Sequence, residues 1–323
     1  MSVYISGSMA YDRVMSFQGL FTDHILPDKI HRLNVSFSIG KMDEKRGGTG
    51  GNIAYNLALL GEPGILLASV GRDFGPYGAF LRRAGLSLEG LRCLPDEFTA
   101  GAYITTDLQD NQITAFHSAA MNMPCGYVFP ALDPAVDLGI IAPTNNEDME
   151  EHAKFYRANG IRYIFDPGQQ IIGLSLERLL AGINGAAMLV SNDYELELIL
   201  NMFRVDLSKL LELVPVVITT LGHEGSRISR QGMESVHIPA ARAACVHDPT
   251  GAGDAYRAGM IKGLLHGLSL EECALLGSVC ASFCVERLGT QEHYYDAKMV
   301  AGRLLENYDL RLGLDFMPLF AGE

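Results

Sequence analysis

Positive charge is scarce in this chain: Lys and Arg number 25 against 38 Asp and Glu, a formal net charge of -13. Nucleic-acid and anionic-membrane surfaces need clustered Lys and Arg, so neither partner is expected. The six cysteines, at 93, 125, 245, 273, 280 and 284, form no CxxC pair and offer no metal-ligand spacing. Buried free thiols are the expectation for them. No apolar run approaches the length of a membrane span. The N-terminus, MSVYISGSMAYDRV, lacks the basic and apolar regions of a secretion signal. A soluble protein of the reducing cytoplasm is therefore expected. A Gly-x-x-x-x-Gly-Lys-[Ser/Thr] phosphate loop is missing as well. The glycines at 47–51 fail as a dinucleotide fingerprint, because Ile53 stands where the third glycine belongs.

What is present suits one large α/β domain with a small appendage, or two modest domains: 323 residues, 48% of them hydrophobic. Short apolar runs alternate with helical patterns, which predicts a mostly parallel sheet with helices on both faces. The expected strands are Val3–Ser6, Ile65–Val70, Leu138–Ala142, Ile161–Phe165, Ala187–Val190 and Val216–Thr219. Several of them end in a polar turn: Asp166-Pro167-Gly168-Gln169-Gln170, Ser191-Asn192-Asp193, Thr220-Leu221-Gly222. In an open parallel sheet such carboxyl ends share the ligand-binding edge. Two stretches break the alternation. His31–Gly40 has a period of two, predicting a strand with one wet face, and Ala102–Ser118 reads as a hairpin around Asp110-Asn111. Together they predict a small β-sheet lid from segments 13–46 and 98–121. The large domain would then comprise 1–12, 47–97 and 122–323.

The strongest motif is Asp248-Pro249-Thr250-Gly251-Ala252-Gly253-Asp254, followed by apolar residues at helical spacing. Glycine and alanine leave backbone N–H groups bare at a helix N-terminus, where unpaired donors and the helix dipole attract anions. A transferring phosphoryl group is stabilised by such donors. Gly251, Ala252 and Gly253 are the candidate cradle. Asp254, just beyond it, is placed to accept a proton from an attacking hydroxyl. Taken alone, the four-residue string is equally compatible with a tight loop and a capping aspartate.

The full string resembles the signature of the ribokinase-like (PfkB) kinases, and the resemblance runs through nearly the whole chain. Gly47-Gly48-Thr49-Gly50-Gly51-Asn52 is similar to the family's lid-hinge motif. Asn192-Asp193-Tyr194-Glu195 is similar to its Asn-x-x-Glu motif, and Thr220-Leu221-Gly222-His223-Glu224-Gly225 to its nucleotide loop. Among family members the chain most resembles bacterial adenosine kinases, through strings such as Asp248-Pro249-Thr250 and Gly289-Thr290-Gln291-Glu292. The resemblance implies a three-layer α/β/α fold with a β-sheet lid and a lid-mediated homodimer. It also implies ATP with Mg²⁺ as donor, and a nucleoside or sugar as acceptor. Asp12, Gly48 and Asn52 would hold the ribose hydroxyls; Ser8, Ser36, Gln169, Gln170 and Phe116 would surround the base. Asn192, Thr220, Gly222 and Gly225 would bind the nucleotide. Glu195 would join Asn192 in holding magnesium through waters, and Asp248 and Thr250 match a K⁺ site.

Ordinary alternatives stand beside these roles: a turn cap for Asp12, plain sheet faces for Ser36 and Phe116, backbone satisfaction for Gln169 and Gln170. Gly101-Ala102-Tyr103 departs from the pattern, lacking a bulkier aromatic at its second position, which leaves room for inosine, guanosine or an analogue. The rival activities are a sugar or sugar-phosphate kinase, with Arg32 and Arg46 as candidates for a second phosphate, and a non-catalytic nucleoside-binding protein.

Overall fold

The computed structural model describes residues 2–25 and 34–313. The first elements are β1 (Val3–Ser6), β2 (Ala10–Phe17), β3 (Ile39–Gly47), α1 (Thr49–Leu59), β4 (Ile65–Gly71), α2 (Gly75–Arg83) and β5 (Leu91–Leu94). A hairpin of β6 (Ala100–Thr106) and β7 (Gln112–His117) follows. Strand and helix then alternate: β8 (Leu138–Ile141), α3 (Asn146–Ala158), β9 (Arg162–Phe165), α4 (Leu176–Ile183), β10 (Met188–Asn192), α5 (Asp193–Phe203), α6 (Leu207–Leu210) and β11 (Val216–Thr220). The last described elements are β12 (Ser226–Arg230), β13 (Val236–Ile238), α7 (Ala252–Leu265), α8 (Leu270–Cys284) and α9 (Ala297–Tyr308).

The large sheet has the order β13-β12-β11-β10-β9-β8-β1-β4-β5 and is parallel from β5 to β11. All six strands expected from apolar runs are present, with ends shifted by at most two residues. Both faces are covered. Tyr4, Leu67 and Ile141 pack against α3, α4 and α5, while Ile5, Leu66 and Ile140 pack against α1, α7 and α8. Burial on both sides is why these strands read as continuous apolar runs. The chain builds outward from β1 first to β4 and β5, then to β8 and beyond. The crevice beside β1 is therefore the switch point where open α/β sheets bind ligands. Among the described residues no helix is long and apolar enough to cross a membrane.

The small sheet has the order β3-β2-β6-β7, with β2 and β6 parallel and the other neighbours antiparallel. The β6–β7 hairpin matches the expectation. Its turn includes Asp110 at φ +60°, and the Asp107 carboxylate accepts the N–H groups of Gln109 and Asn111. The strand expected over His31–Gly40 does not stand as drawn. Residues 31–33 lie outside the described residues, 34–38 join no ladder, and the strand is Ile39–Gly47. The two-residue period survives in burial: Val35, Phe37 and Ile39 are half-buried while Asn34, Ser36 and Ser38 are exposed. Phe37 lies against Phe17, Phe21 and His24, so the alternation records an extended segment resting on an aromatic cluster without a strand partner. Strand β2 was not anticipated.

All six cysteines are free, but Cys93, on edge strand β5, and Cys245, in a loop, are exposed, against the expectation of burial. The fold also gathers Cys125, Asp148 and His152, whose ligand atoms lie within 4.8 Å, a grouping that no sequence spacing announced. Asp148 accepts the Cys125 N–H, and His152 Nδ1 bonds Ser6 Oγ at 2.9 Å.

Burial drives the His152 imidazole down to about 4, and that of His293 likewise to about 4, from the ordinary 6.5. Because the unfolded chain binds the extra proton, the stability lent by each neutral ring is complete above about pH 6.5 and lost as pH falls towards 4. That amounts to on the order of 3 kcal/mol per ring. In an imidazole ¹⁵N NMR titration both rings should remain neutral down to about pH 5. A midpoint above 6 for either would show that it is not desolvated.

Candidate active site

Helix α7 starts at the glycine-rich motif. Its N-cap, Gly251, sits at φ +80°, and a Cβ there would lie 2.9 Å from the Thr290 side chain. Glycine is thus required by both backbone and neighbour. Among the described residues the N–H groups of Gly251, Gly253 and Asp254 find no acceptor, whereas that of Ala252 donates to Pro249 O at 3.2 Å. The bare donors are therefore Gly251, Gly253 and Asp254, so Asp254 takes the place of Ala252 in the expected trio.

Asp254, in the first turn of α7, is 7% exposed. Burial raises its pKa, against the pull of Arg257 and of the Asn52 amide. Arg257, one turn on along α7, lies 3.7 Å from Asp254 Oδ1 and makes direct ionic contact with Asp166, just past β9. Burial pushes Asp166 up to about 7 although Arg257 opposes it, and Glu195 on α5 is near enough to add to the rise in both carboxyls. One buried guanidinium thus serves two buried carboxyls. Neither Arg257 nor Asp166 was assigned a role from sequence.

Asn52 Nδ2 donates to Asp254 Oδ2 at 2.8 Å, and Asn52 Oδ1 accepts from Gln291 Nε2 at 2.9 Å. Gln291 also donates to Tyr77 Oη, which donates to Gly47 O at the end of β3. Beside them the Thr290 hydroxyl donates to Arg46 O at 2.9 Å, and Glu292 pairs with Arg46 at 2.8 Å. The Gly289-Thr290-Gln291-Glu292 string therefore braces the hinge of the small sheet. Its side chains carried no expected role, and no local signal distinguishes Gln291 from a surface glutamine.

At the hinge Gly48 has φ +89°, and a Cβ there would meet Ser8 O at 2.5 Å. Ser8 is occupied locally: its Oγ accepts the Thr49 N–H at 3.1 Å, and its carbonyl accepts those of Gly50 and Gly51. Asp12 lies on β2 in register with Ala102 on β6, which in turn is opposite Phe116 on β7. Registered neighbours share a face, so carboxylate, small residue and aromatic form one row, with Asp12 and Phe116 roughly 10 Å apart at the backbone. The Asp12 carboxylate makes no hydrogen bond or ion pair among the described residues. Burial, and then Asp248, raise its pKa. Tyr103 is on the opposite face, its hydroxyl accepting from Arg13 at 3.1 Å.

Phe116 and Gln170 line one cleft of about 320 Å³, with Met121, Thr144, Asn145 and Asn146. That is the volume of a small-ligand site. Gln170 Nε2 donates to Thr144 O at 2.9 Å, and Asn146 Oδ1 is buried without a partner. Gln169 and Ser36 are exposed and are not among the residues lining this cleft.

On the other side of Asp254, Asn192 and Thr220 stand opposite each other at the ends of β10 and β11. Asn192 and Glu195 form a capping box at α5: Oδ1 accepts the Glu195 N–H at 2.7 Å, and Glu195 Oε2 accepts the Asn192 N–H at 2.8 Å. Gly222, at φ +58°, and Gly225, at φ +99°, shape the following loop, with open space around the Gly222 Cα. Asp248 accepts the N–H groups of Thr250 at 2.9 Å and Gly289 at 3.0 Å, tying the motif loop to the hinge brace.

Comparisons with known proteins identify the family. The model of the pfkB family carbohydrate kinases matches residues 11–297. A nucleoside kinase of Methanocaldococcus jannaschii is 33% identical over 282 residues, 86% of this chain and 91% of that protein. The solved structure of Burkholderia thailandensis nucleoside kinase in complex with inosine superposes with a TM-score of 0.84 at 34% identity, covering 96% of this chain and 99% of the other. The same enzyme in its ADP-inosine complex gives 0.81 at 35% identity, covering 96% and 97%. This chain belongs to the PfkB family of ribokinase-like kinases and is a phosphotransferase that uses ATP.

Proposed function

We propose that the chain transfers the γ-phosphoryl group of ATP to the 5′-hydroxyl of a nucleoside, with adenosine as the first candidate. The observation carrying this reading is a buried Asp254 in the first turn of α7, beside bare backbone amides and joined through Asn52, Gln291 and Tyr77 to Gly47, the residue that adjoins Asp12. The 5′-oxygen attacks the γ-phosphorus and its proton passes to Asp254. The bond to the β,γ-bridging oxygen breaks, and ADP leaves. The N–H groups of Gly251, Gly253 and Asp254 meet the charge on the migrating group. The carboxylate Asp12, with no competing partner, takes hydrogen bonds from the ribose diol, and Phe116 supplies an apolar face for the base.

Magnesium, when bound, neutralises the β- and γ-phosphates. Asn192 and Glu195 fit the holding of its water shell, because Glu195 Oε1 is not engaged by the capping box. Asp248 and Thr250 are proposed for K⁺, the Thr250 hydroxyl making no hydrogen bond among the described residues. Support for a nucleoside over a sugar phosphate comes from Arg46, which is already paired with Glu292 and stacked on Phe80 at 4.0 Å. Arg32 lies outside the described residues. A non-catalytic binder would have no use for the buried Asp254 beside bare amides. The small sheet is proposed to close as a lid, and its fully exposed edge strand β7, with Ile113 42% exposed, to pair with a second copy.

Replacing Asp254 by Asn should lower kcat by roughly 100- to 10,000-fold with ATP affinity preserved, and near-normal turnover would remove Asp254 from the mechanism. Asp12→Ala should weaken nucleoside binding by about 10- to 100-fold, measured calorimetrically; an unchanged Kd would sink the ribose assignment. Among adenosine, inosine, guanosine, ribose and fructose 6-phosphate, ADP formation should be fastest with a purine nucleoside. Preference for a free sugar or sugar phosphate would reverse the reading. Light scattering after gel filtration should give a dimer, and a monomer at all concentrations would exclude lid pairing.

A further inference from the structure

The hydrogen-bond chain between hinge and carboxylate has a direction imposed by its ends. The Gly47 carbonyl can only accept, so Tyr77 Oη donates to it at 3.0 Å. Tyr77 is then an acceptor towards Gln291, which must present its NH₂. The other hydrogen of that NH₂ goes to Asn52 Oδ1 at 2.9 Å, which turns the Asn52 NH₂ onto Asp254 Oδ2 at 2.8 Å. Reversing the Gln291 amide would set oxygen against Asn52 Oδ1 and cost both bonds. Water is a poor substitute, since Tyr77, Gln291 and Asn52 are only 1%, 2% and 4% exposed. The far end of the chain is also informative. Gly47 closes β3, and the Asp12 carboxylate lies 2.5 Å from where a Cβ on Gly47 would stand.

We infer that Gln291 is a positioning residue for phosphoryl transfer: it aims the Asn52 amide at Asp254 and ties that aim to the Gly47 hinge of the small sheet. The inference rests on the proposed role of Asp254. Gln291 touches no reacting atom and acts through Asn52. A donor here has a purpose that filling the same volume would not serve. It holds one Asp254 oxygen on Asn52 and leaves the other towards Arg257, so the carboxylate cannot rotate when the hinge is in this position.

The test is Gln291→Met, which keeps volume and removes the donors. Expected is a fall in kcat of roughly 10- to 100-fold, the cost of an ångström-scale misplacement, with the KM for ATP within about 2-fold of wild type. On an Asn52→Ala background the same substitution should cost little more, because its effect runs through Asn52. A wild-type kcat, or a full second loss on that background, would overturn the inference. Should Gln291→Met fail to fold, Tyr77→Phe decides. It deletes one hydroxyl, and a roughly 5- to 10-fold fall in kcat is expected; no fall overturns the proposal. Asp254→Asn measured alongside separates the two readings. If it stays active, the base assignment fails and this inference with it. If it is dead while Gln291→Met is unimpaired, only the positioning role fails.

Discussion

A carboxylate buried at the mouth of a helix is the constraint around which this molecule is arranged. Desolvation favours the neutral form of Asp254 and raises its pKa. Arg257, one turn along the same helix, supplies the opposing charge and is itself held by Asp166. Arg257 and the Asn52 amide check the rise that burial imposes on the pKa of Asp254. A buried guanidinium is costly without partners, so the two carboxyls and the arginine depend on one another. Removing the arginine would leave two buried carboxyls without a counter-charge.

The proposed reaction adds a second requirement, exclusion of water from a site that still opens to admit substrate. The small sheet presents one row, Asp12, Ala102 and Phe116, across three strands. Its connection to the large domain is narrow and heavily braced. Gly48 allows the backbone to turn within van der Waals range of Ser8 and Ala10, and residues 290–292 grip the Arg46–Gly47 segment from the other side. The same C-terminal string reaches Asn52, so the hinge and Asp254 share a support.

The capping box at α5 illustrates how one motif can serve two ends. Asn192 and Glu195 satisfy each other's backbone N–H groups, a structural role sufficient to explain their spacing. The box also fixes Glu195 close enough to act on Asp166, Arg257 and Asp254.

By itself the sequence determined whatever depends on neighbours along the chain. Strands buried on both faces appear as unbroken apolar runs, and the Gly251–Asp254 string shows its helix start because every atom involved is local, although Ala252, expected to be bare, donates to Pro249 O. The β6–β7 hairpin was legible for the same reason. Tertiary structure alone decided the rest. Strand β2 carries no clean alternation, since its pairing with both β3 and β6 sets its burial. The alternation over residues 34–38 goes with the packing of Phe37 on Phe17 and Phe21 and not with a ladder. Gln291 and Tyr77 became partners across 214 residues, and Asn52 met Asp254 across 202. Hydrogen bonds of that span leave no period and no spacing in the chain, because the donor and acceptor are brought together only when α1, α2 and α7 pack side by side on one face of the sheet.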